Sequence, residues 1–228
     1  PLTYPRQAFI GAANNPNRLA NWRAWVNSPE SIVPMTTNAE EISWPQPMLS
    51  DIEFDGRNMI LGLRDRFGDQ SGYAKHFSLS STVPSFPISA GDILLVCRTE
   101  TGWAIEGSPG CLTSGGLVDS GPGLAAYPEH YEWDLFNDGS TWDVQNTGGG
   151  LHWETTQGGL LQLAGKTTIM STAMNTFSDF SGGLLRFENA AGRRAGISSN
   201  SAPAPANGAY TLYEGGDYDG GDYPADLG

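Results

Sequence analysis

Three aspartates near the end of the sequence, Asp217, Asp219 and Asp222, alternate with glycines in a pattern that could bind calcium. Ca²⁺ takes several oxygen ligands, and glycine lets a short backbone curl so that carboxylates converge on one ion. The segment lacks the bidentate glutamate and the spacing of an EF-hand loop. The sequence therefore leaves two interpretations, a calcium loop or a flexible acidic linker, and Ca²⁺ is the one cofactor that it suggests.

A second acidic group, Asp51, Glu53 and Asp55, follows a period of two. Residues at this spacing share one face of a β-strand, so their carboxylates would lie side by side. They could ligate Ca²⁺, or they could be solvated charges paired with neighbouring arginines. Both alternatives stay open at this level.

Two cysteines, Cys97 and Cys111, flank a segment that reads as one short strand with turns on each side. A disulfide between them would hold this strand and its two turns together, and such bridges are typical of extracellular proteins. The alternative is a pair of free buried thiols. A zinc site built on sulfur is excluded, because two cysteines without a Cys-x-x-Cys or paired histidine spacing supply too few ligands.

Residues that could perform hydrolysis are present but do not form a recognisable catalytic set. The three histidines lie in unrelated segments, and no nucleophile-elbow motif accompanies them. Glycoside hydrolysis needs two carboxyl groups across a cleft, a separation that spacing along the chain does not define. We therefore expect no catalytic residues and no enzyme activity. The groups considered are His76, His130 and His152, the carboxylates Glu129, Glu132, Asp134 and Glu154, and the sugar-stacking candidates Trp133, Trp142 and Trp153.

The overall charge limits the partners. The chain has 25 acidic and 12 basic residues, a formal net charge of −13. Such a surface repels phosphate backbones, so we expect no nucleic-acid partner. No apolar run is long enough for a membrane span, and no signal peptide is recognisable. Because neither end resembles a natural terminus, we expect a piece of a longer protein.

The elements that must position these groups are short strands. The 228 residues include 30 glycines and 15 prolines, which suits a turn-rich all-β protein with little helix. Residues 50–66 predict a hairpin around turn residues 55–58. The run 59–63 is apolar throughout, so it must be covered on both faces, as in the stacked blades of a β-propeller. Residues 22–26 also favour a strand.

The predicted organisation follows from these strands and from the composition of the connections. Propeller-like blades occupy residues 1–112 and 131–213. A loop rich in Gly, Ser and Pro covers 113–130, and an Asp- and Gly-rich tail covers 214–228. The fold class expected is an all-β, propeller-like array of short antiparallel sheets.

Four segments, residues 45–55, 59–69, 91–97 and 152–160, resemble a family of large bacterial surface or secreted proteins. These proteins carry β-propeller-like segments and often serine-aspartate-repeat (Sdr-type) B-like domains. The Sdr-type B domain itself is not visible in this chain. The resemblance implies a noncatalytic propeller on an envelope or extracellular protein, and it supplies no binding residues.

Together these observations predict a structural or adhesive module of a bacterial cell-surface or secreted protein. Its partners would be other domains of the same protein or copies of itself. The alternative is a carbohydrate-binding or calcium-dependent module, and the third hypothesis is a glycoside-active enzyme. Exposed aromatic side chains along a groove would favour the second hypothesis, whereas buried ones would favour the first.

Overall fold

The computed structural model describes residues 22–27, 41–42, 44–71, 86–87, 91–111, 118–119, 127–128, 130–131, 156–174, 181–194 and 209–214. Thirteen strands and one short helix lie in these ranges. They are β1 Glu41–Ile42, β2 Pro47–Asp55, β3 Asn58–Asp65, α1 Arg66–Ser71, β4 Phe86–Pro87, β5 Gly91–Arg98, β6 Trp103–Ile105, β7 Val118–Asp119, β8 Tyr127–Pro128, β9 Thr156–Gln162, β10 Thr168–Met174, β11 Ser181–Glu188, β12 Arg193–Arg194 and β13 Ala209–Glu214.

The first sheet has the order β2-β3-β5-β6, and its neighbouring strands are antiparallel. β2 and β3 form the predicted hairpin, closed by the pair Asp55 and Asn58. Gly56 in the two-residue turn has φ of 60°, a conformation that glycine adopts without strain. The turn chemistry read from the sequence therefore fixes the register of this hairpin.

The second sheet contains β9, β10 and β11 as a continuous antiparallel meander. The far side of β11 pairs with β12 at one end and with β13 at the other. Two further pairs, β1 with β4 and β7 with β8, are two-residue ladders. The all-β prediction is confirmed, and within the described residues α1 is the one helix.

The hydrophobic core lies between the two sheets. Ile60, Ile93 and Leu95 contribute from the first sheet, and Ile169, Leu185 and Phe187 are the largest contributions from the second. β-Branched and aromatic side chains at alternate strand positions bury one face of each sheet. The described strands thus form two antiparallel sheets packed on one core, and a propeller arrangement is not shown by them.

Coverage on both faces was expected for residues 59–63, which lie in β3, but Met59 and Leu61 are only half-buried, whereas Ile60 is buried. In β5 both faces are covered. Residues 91–96 are all buried, so the faces that look toward and away from the core are both shielded from solvent. By contrast, the predicted strand over residues 22–26 is wrong, because these residues have no regular structure. Backbone and side-chain hydrogen bonds to residues 45 and 47 hold that segment instead.

β9 crosses the first sheet diagonally. Thr156 lies against Gly91 of β5, Gly158 against Gly62 of β3, and Leu160 against Asp51 of β2. Two residues of β9 advance about 6.6 Å along its own axis, and neighbouring strands of the first sheet are about 4.8 Å apart. A strand that runs diagonally over the sheet therefore moves from one strand to the next with every two residues. We call this region the crossing end of the molecule.

Glycine is required at the crossing end because two backbones touch there. A Cβ atom at Gly62 would collide with the carbonyl oxygen of Gly158, and a Cβ at Gly91 would collide with that of Thr156. Gly158 itself has φ of 74° and lies against Ser50 and Leu63. The sheets approach this closely only because no side chains separate them.

Candidate functional site

The carboxylate of Asp51 joins the two sheets. Its Oδ2 accepts a hydrogen bond from the backbone N–H of Leu160 on β9 at 2.9 Å, and its Oδ1 accepts one from Ile52 at 2.9 Å. Among the described strands β9 is the outermost of the second sheet, so Asp51 provides the acceptor for an N–H group on the sheet edge. This carboxylate acts as a structural acceptor.

The acidic face of β2 looks toward the second sheet. Asp51, Glu53 and Asp55 are half-buried, whereas Ile52 and Phe54 on the opposite face are exposed. No group of three or more His, Cys, Asp or Glu residues suited to a metal ion occurs in the described part of the chain. The calcium interpretation of this strand therefore stays a prediction, and the charge of Asp51 has a structural use.

Two further buried carboxylates also bind backbone N–H groups. Asp65 Oδ1 accepts from Gln46 and from Phe67, both at 2.9 Å, and thereby caps the start of α1. Glu106 Oε2 accepts from Leu95 N–H of β5 at 2.7 Å. Asp65 therefore fixes the start of α1, and Glu106 fixes the middle of β5.

Cys97 and Cys111 form a disulfide, as the sequence predicted, with their Cα atoms 5.2 Å apart. The bridge connects the end of β5 to the turn that follows β6, and Cys111 is buried in the core. Hairpin β5–β6 is therefore closed covalently at the end opposite Gly91. We call this region the disulfide end.

His130 and Tyr131 fill the core beside the disulfide end. The rings of His130 and Tyr131 meet edge-to-face with centroids 4.8 Å apart, and Tyr131 meets Phe187 of β11 in the same way at 5.9 Å. His130 Nε2 lies 2.7 Å from the carbonyl oxygen of Asn189. Gly192 lies against the His130 carbonyl, where a Cβ atom would not fit.

The environment of His130 favours the neutral imidazole. A carbonyl oxygen accepts only, so Nε2 carries the proton and donates to Asn189, which leaves Nδ1 unprotonated. Nδ1 is buried and has no hydrogen-bond partner among the residues that the structure describes. Burial lowers the pKa of His130, and the Asn189 hydrogen bond and the charge of Asp55 oppose that shift only in part.

Tyr131 is held as a neutral phenol. Its burial raises the pKa, and the nearby carboxylates of Asp55 and Glu106 raise it further. A phenol with a raised pKa is a poor base and a poor nucleophile at neutral pH. The His130–Tyr131 pair is therefore suited to packing, and nothing in the sequence around His130 indicated that it would be buried.

Two exposed tryptophans carry stacked guanidinium groups. Arg66 lies 5.1 Å from the ring centroid of Trp25, and Arg98 lies 4.9 Å from that of Trp103. Arg66 is also fixed by hydrogen bonds to Gln46 and Val26. Each pair presents an aromatic surface whose orientation is held by a cation.

Several residues singled out in the sequence lie outside the described residues. Nothing of the structure bears on the proposed calcium loop, on two of the histidines, or on the candidate glycosidase groups. They are Asp217, Asp219, Asp222, His76, His152, Glu129, Glu132, Asp134, Glu154, Trp133, Trp142 and Trp153. Across the ranges that the structure does describe, no helix has the length and apolar character of a membrane span.

The fold and these contacts define an all-β protein with two packed antiparallel sheets and a disulfide. No protein-family model matches the chain, and no solved structure matches it. Among curated proteins, it is similar to Colossin-A of Dictyostelium discoideum, with 28% identity over 132 residues. The match covers 58% of this chain but spans 1% of the length of Colossin-A.

Proposed function

We propose that this chain is a noncatalytic structural or adhesive module of a cell-surface or secreted protein. The observation that carries the proposal is the Cys97–Cys111 bridge built into the sandwich. Disulfides persist in oxidising compartments and are rare in the cytosol, so a structural bridge favours an extracellular location. The similarity to a short part of the much longer Colossin-A supports a module within a larger chain.

The use of the polar groups supports a structural role. Asp51, Asp65 and Glu106 accept backbone N–H hydrogen bonds, and Tyr131 packs as a neutral ring in the core. A general acid or base needs a carboxyl group that reaches a substrate. These three carboxylates are instead bound to the protein's own backbone.

The propeller-like arrangement and the bacterial origin belong to the same proposal. Strands β2, β3, β5 and β6 form a four-stranded antiparallel sheet in chain order, which is the architecture of a propeller blade. The second sheet begins with a similar meander, β9 to β11. Partners that are neighbouring domains or further copies would then pack as additional sheets. The serine-aspartate-repeat resemblance stays a prediction.

Thiol labelling of the protein from its natural source tests the location. Secreted or surface fractions are alkylated without reductant, and the intact mass is measured. We expect an unlabelled, bridged chain in those fractions. A chain found in the cytosolic fraction with both cysteines alkylated would overturn the extracellular proposal. Protein alkylated after reduction provides the labelled control.

The exposed Trp103 favours a second candidate, a carbohydrate-binding module. Its ring is 45% exposed on the edge strand β6 and is held by Arg98, so one face could stack on a sugar. Binding to an immobilised glycan panel would test this candidate, with Trp103→Ala as the variant and Trp25→Ala as the matched control. Binding that only Trp103→Ala abolishes would establish a lectin-like site. Absence of binding would leave the structural module.

The calcium-dependent form of this candidate has a separate test. Ca²⁺ bound only by the folded chain raises its melting temperature by mass action. We expect an increase in millimolar Ca²⁺, a smaller one in Mg²⁺, and none in Asp219→Asn if the tail is a calcium loop. Identical melting in Ca²⁺, Mg²⁺ and chelator would identify the tail as an acidic linker. The third candidate, a glycoside-active enzyme, would release reducing sugar from the bound glycan.

A further inference from the structure

β2 is a long edge strand whose outer face is apolar. It pairs with β3 on one side, and within the described residues no strand pairs with the other side. Leu49 is 55% exposed, Ile52 44% and Phe54 56%, although all three are large apolar side chains. Their cross-strand partners on the same face are Leu63, Leu61 and Met59. Leu63 is buried and Leu61 and Met59 are half-buried, so the exposed apolar surface lies mainly on β2, at the open edge of the sheet.

The start of this edge is already occupied by another segment. Arg23 N–H donates to the carbonyl of Pro45 at 2.8 Å, and Trp25 Nε1 donates to that of Pro47 at 2.8 Å. A stretch of chain without regular structure thus lies beside the entry to β2 and shows that this edge accepts a neighbouring segment. A strand added past Pro47 would place its backbone groups beside Ile52 and Phe54.

The chemistry of the occupant follows from the two faces of β2. A strand added at the edge places alternate side chains beside Ile52 and Phe54 and the others beside Glu53 and Asp55. The first set must be apolar to cover the exposed face. The second set must be basic, because half-buried carboxylates beside a new strand need compensating charge. The net charge of −13 also attracts cationic segments.

A second copy of this chain is a poor occupant. Antiparallel pairing of two β2 strands centred on Ile52 sets Asp51 of each copy opposite Glu53 of the other. Shifting the pairing by one residue sets acidic side chains against apolar ones. Either register is unfavourable, so the edge selects against its own sequence.

We propose that the edge of β2 from residue 48 to residue 55 binds an extended segment of a partner protein in which apolar residues alternate with arginine or lysine. The segment adds to the first sheet as a further strand. Backbone hydrogen bonds supply the affinity, and the alternation of charge supplies the selectivity. The site depends on β2 alone and goes beyond the location and role proposed above.

The test uses blocked nonapeptides and the intact chain, with binding followed by fluorescence anisotropy at low ionic strength. One peptide alternates valine and arginine, a second alternates valine and glutamate, and a third has the composition of the first with its arginines contiguous. We expect binding by the first alone. Methylation of its amide nitrogens along one edge should abolish binding, because strand addition requires those N–H groups.

Variants locate the site. We expect Glu53→Lys and Phe54→Lys each to weaken binding of the alternating basic peptide at least about tenfold, and Glu53→Gln to have a smaller effect. Leu161→Lys, at another exposed apolar position on β9, should leave binding unchanged. Circular dichroism verifies that each variant is folded.

Three results would overturn the proposal. Equal binding of the alternating and contiguous basic peptides would show general charge attraction. Unchanged binding in folded Glu53→Lys and Phe54→Lys would place the peptide elsewhere. A dimer in sedimentation that Phe54→Lys dissociates would identify a second copy as the occupant.

Discussion

The crossing end and the disulfide end close the same sandwich by opposite means. At the crossing end, Gly62 and Gly91 let the backbone of β9 touch the first sheet, and the contact depends on the absence of side chains. At the disulfide end, a covalent bridge and the rings of His130 and Tyr131 fill the space between the sheets. The first end therefore tolerates no added atom, whereas the second depends on the chemical state of its groups.

The largest effect is expected from a side chain added at Gly62, where the backbone of β9 touches the first sheet. Gly62→Val places side-chain atoms where the carbonyl oxygen of Gly158 lies, and neither backbone can move without breaking ladder hydrogen bonds. We expect a loss of at least about 4 kcal/mol in the free energy of unfolding, measured by urea denaturation. Gly56→Ala is the control, because its Cβ meets no atom and only its φ of 60° opposes the change. If Gly56→Ala lost as much stability as Gly62→Val, the close backbone contact between β9 and the first sheet would be contradicted.

Removing the bridge should have the next largest effect. The double variant Cys97→Ala, Cys111→Ala frees a loop with a sequence separation of 14. We expect a loss of about 3 kcal/mol in the free energy of unfolding, because the unfolded chain regains its loop entropy. Reductant should lower the denaturation midpoint of the natural chain and leave that of the variant unchanged. A natural chain that is insensitive to reductant would show that the disulfide end is held by packing alone.

A smaller effect is expected for the carboxylate at the crossing end. Asp51→Ala leaves Leu160 N–H without its acceptor, and hydrogen bonds to charged groups contribute about 2 kcal/mol. Glu53→Ala, two residues further along the same strand face, should change the free energy of unfolding by less than about 0.5 kcal/mol. Thermal unfolding of both variants tests the comparison. Equal losses would mean that the charge of this face matters more than the hydrogen bond.

The pH response of the disulfide end should be the smallest effect. The folded pKa of His130 lies below the unfolded value of about 6.5, so the unfolded chain binds more protons between these two values. The contribution of His130 to the free energy of unfolding is fully present above about pH 6.5, and it is lost as the pH drops toward the folded pKa. The slope contributed by one group is at most about 1.4 kcal/mol per pH unit.

Variants separate the pH dependence that His130 contributes to stability from the pH dependence that the carboxyl groups contribute. Urea midpoints measured from pH 7.5 to pH 5 should show a shallower slope in His130→Gln than in the natural chain. His152→Gln provides the comparison with another histidine. Equal slopes in the natural chain and His130→Gln would show that His130 does not titrate with folding.

The hairpin and the bridge were predictable because their information is local. Four consecutive residues, 55–58, are enough to indicate the turn, and the two cysteines flank a single strand. The faces of β2 were not predictable, because a period of two defines two faces without saying which one is buried. The crossing was also missed: Gly62 and Gly158 look like ordinary turn or strand glycines until distant segments meet.

The same limit applies to the groups of the candidate sites. Asp51 was recognised as part of an acidic face, but its partner Leu160 lies 109 residues away. The burial of His130 depends on Asn189 and Gly192, which nothing in the sequence near His130 indicates. Long-range backbone contacts therefore decide which polar residues are structural, and one sequence does not encode them in a readable pattern.

The bridge between Cys97 and Cys111 also limits how far the chain extends under tension. It encloses β6 in a loop with a sequence separation of 14. At about 3.4 Å per residue, this loop withholds about 48 Å of contour length from a chain pulled at residues on either side. An oxidised chain that is unfolded by a pulling force therefore extends by about that much less than a reduced one, so the redox state of the two cysteines determines its maximum extension.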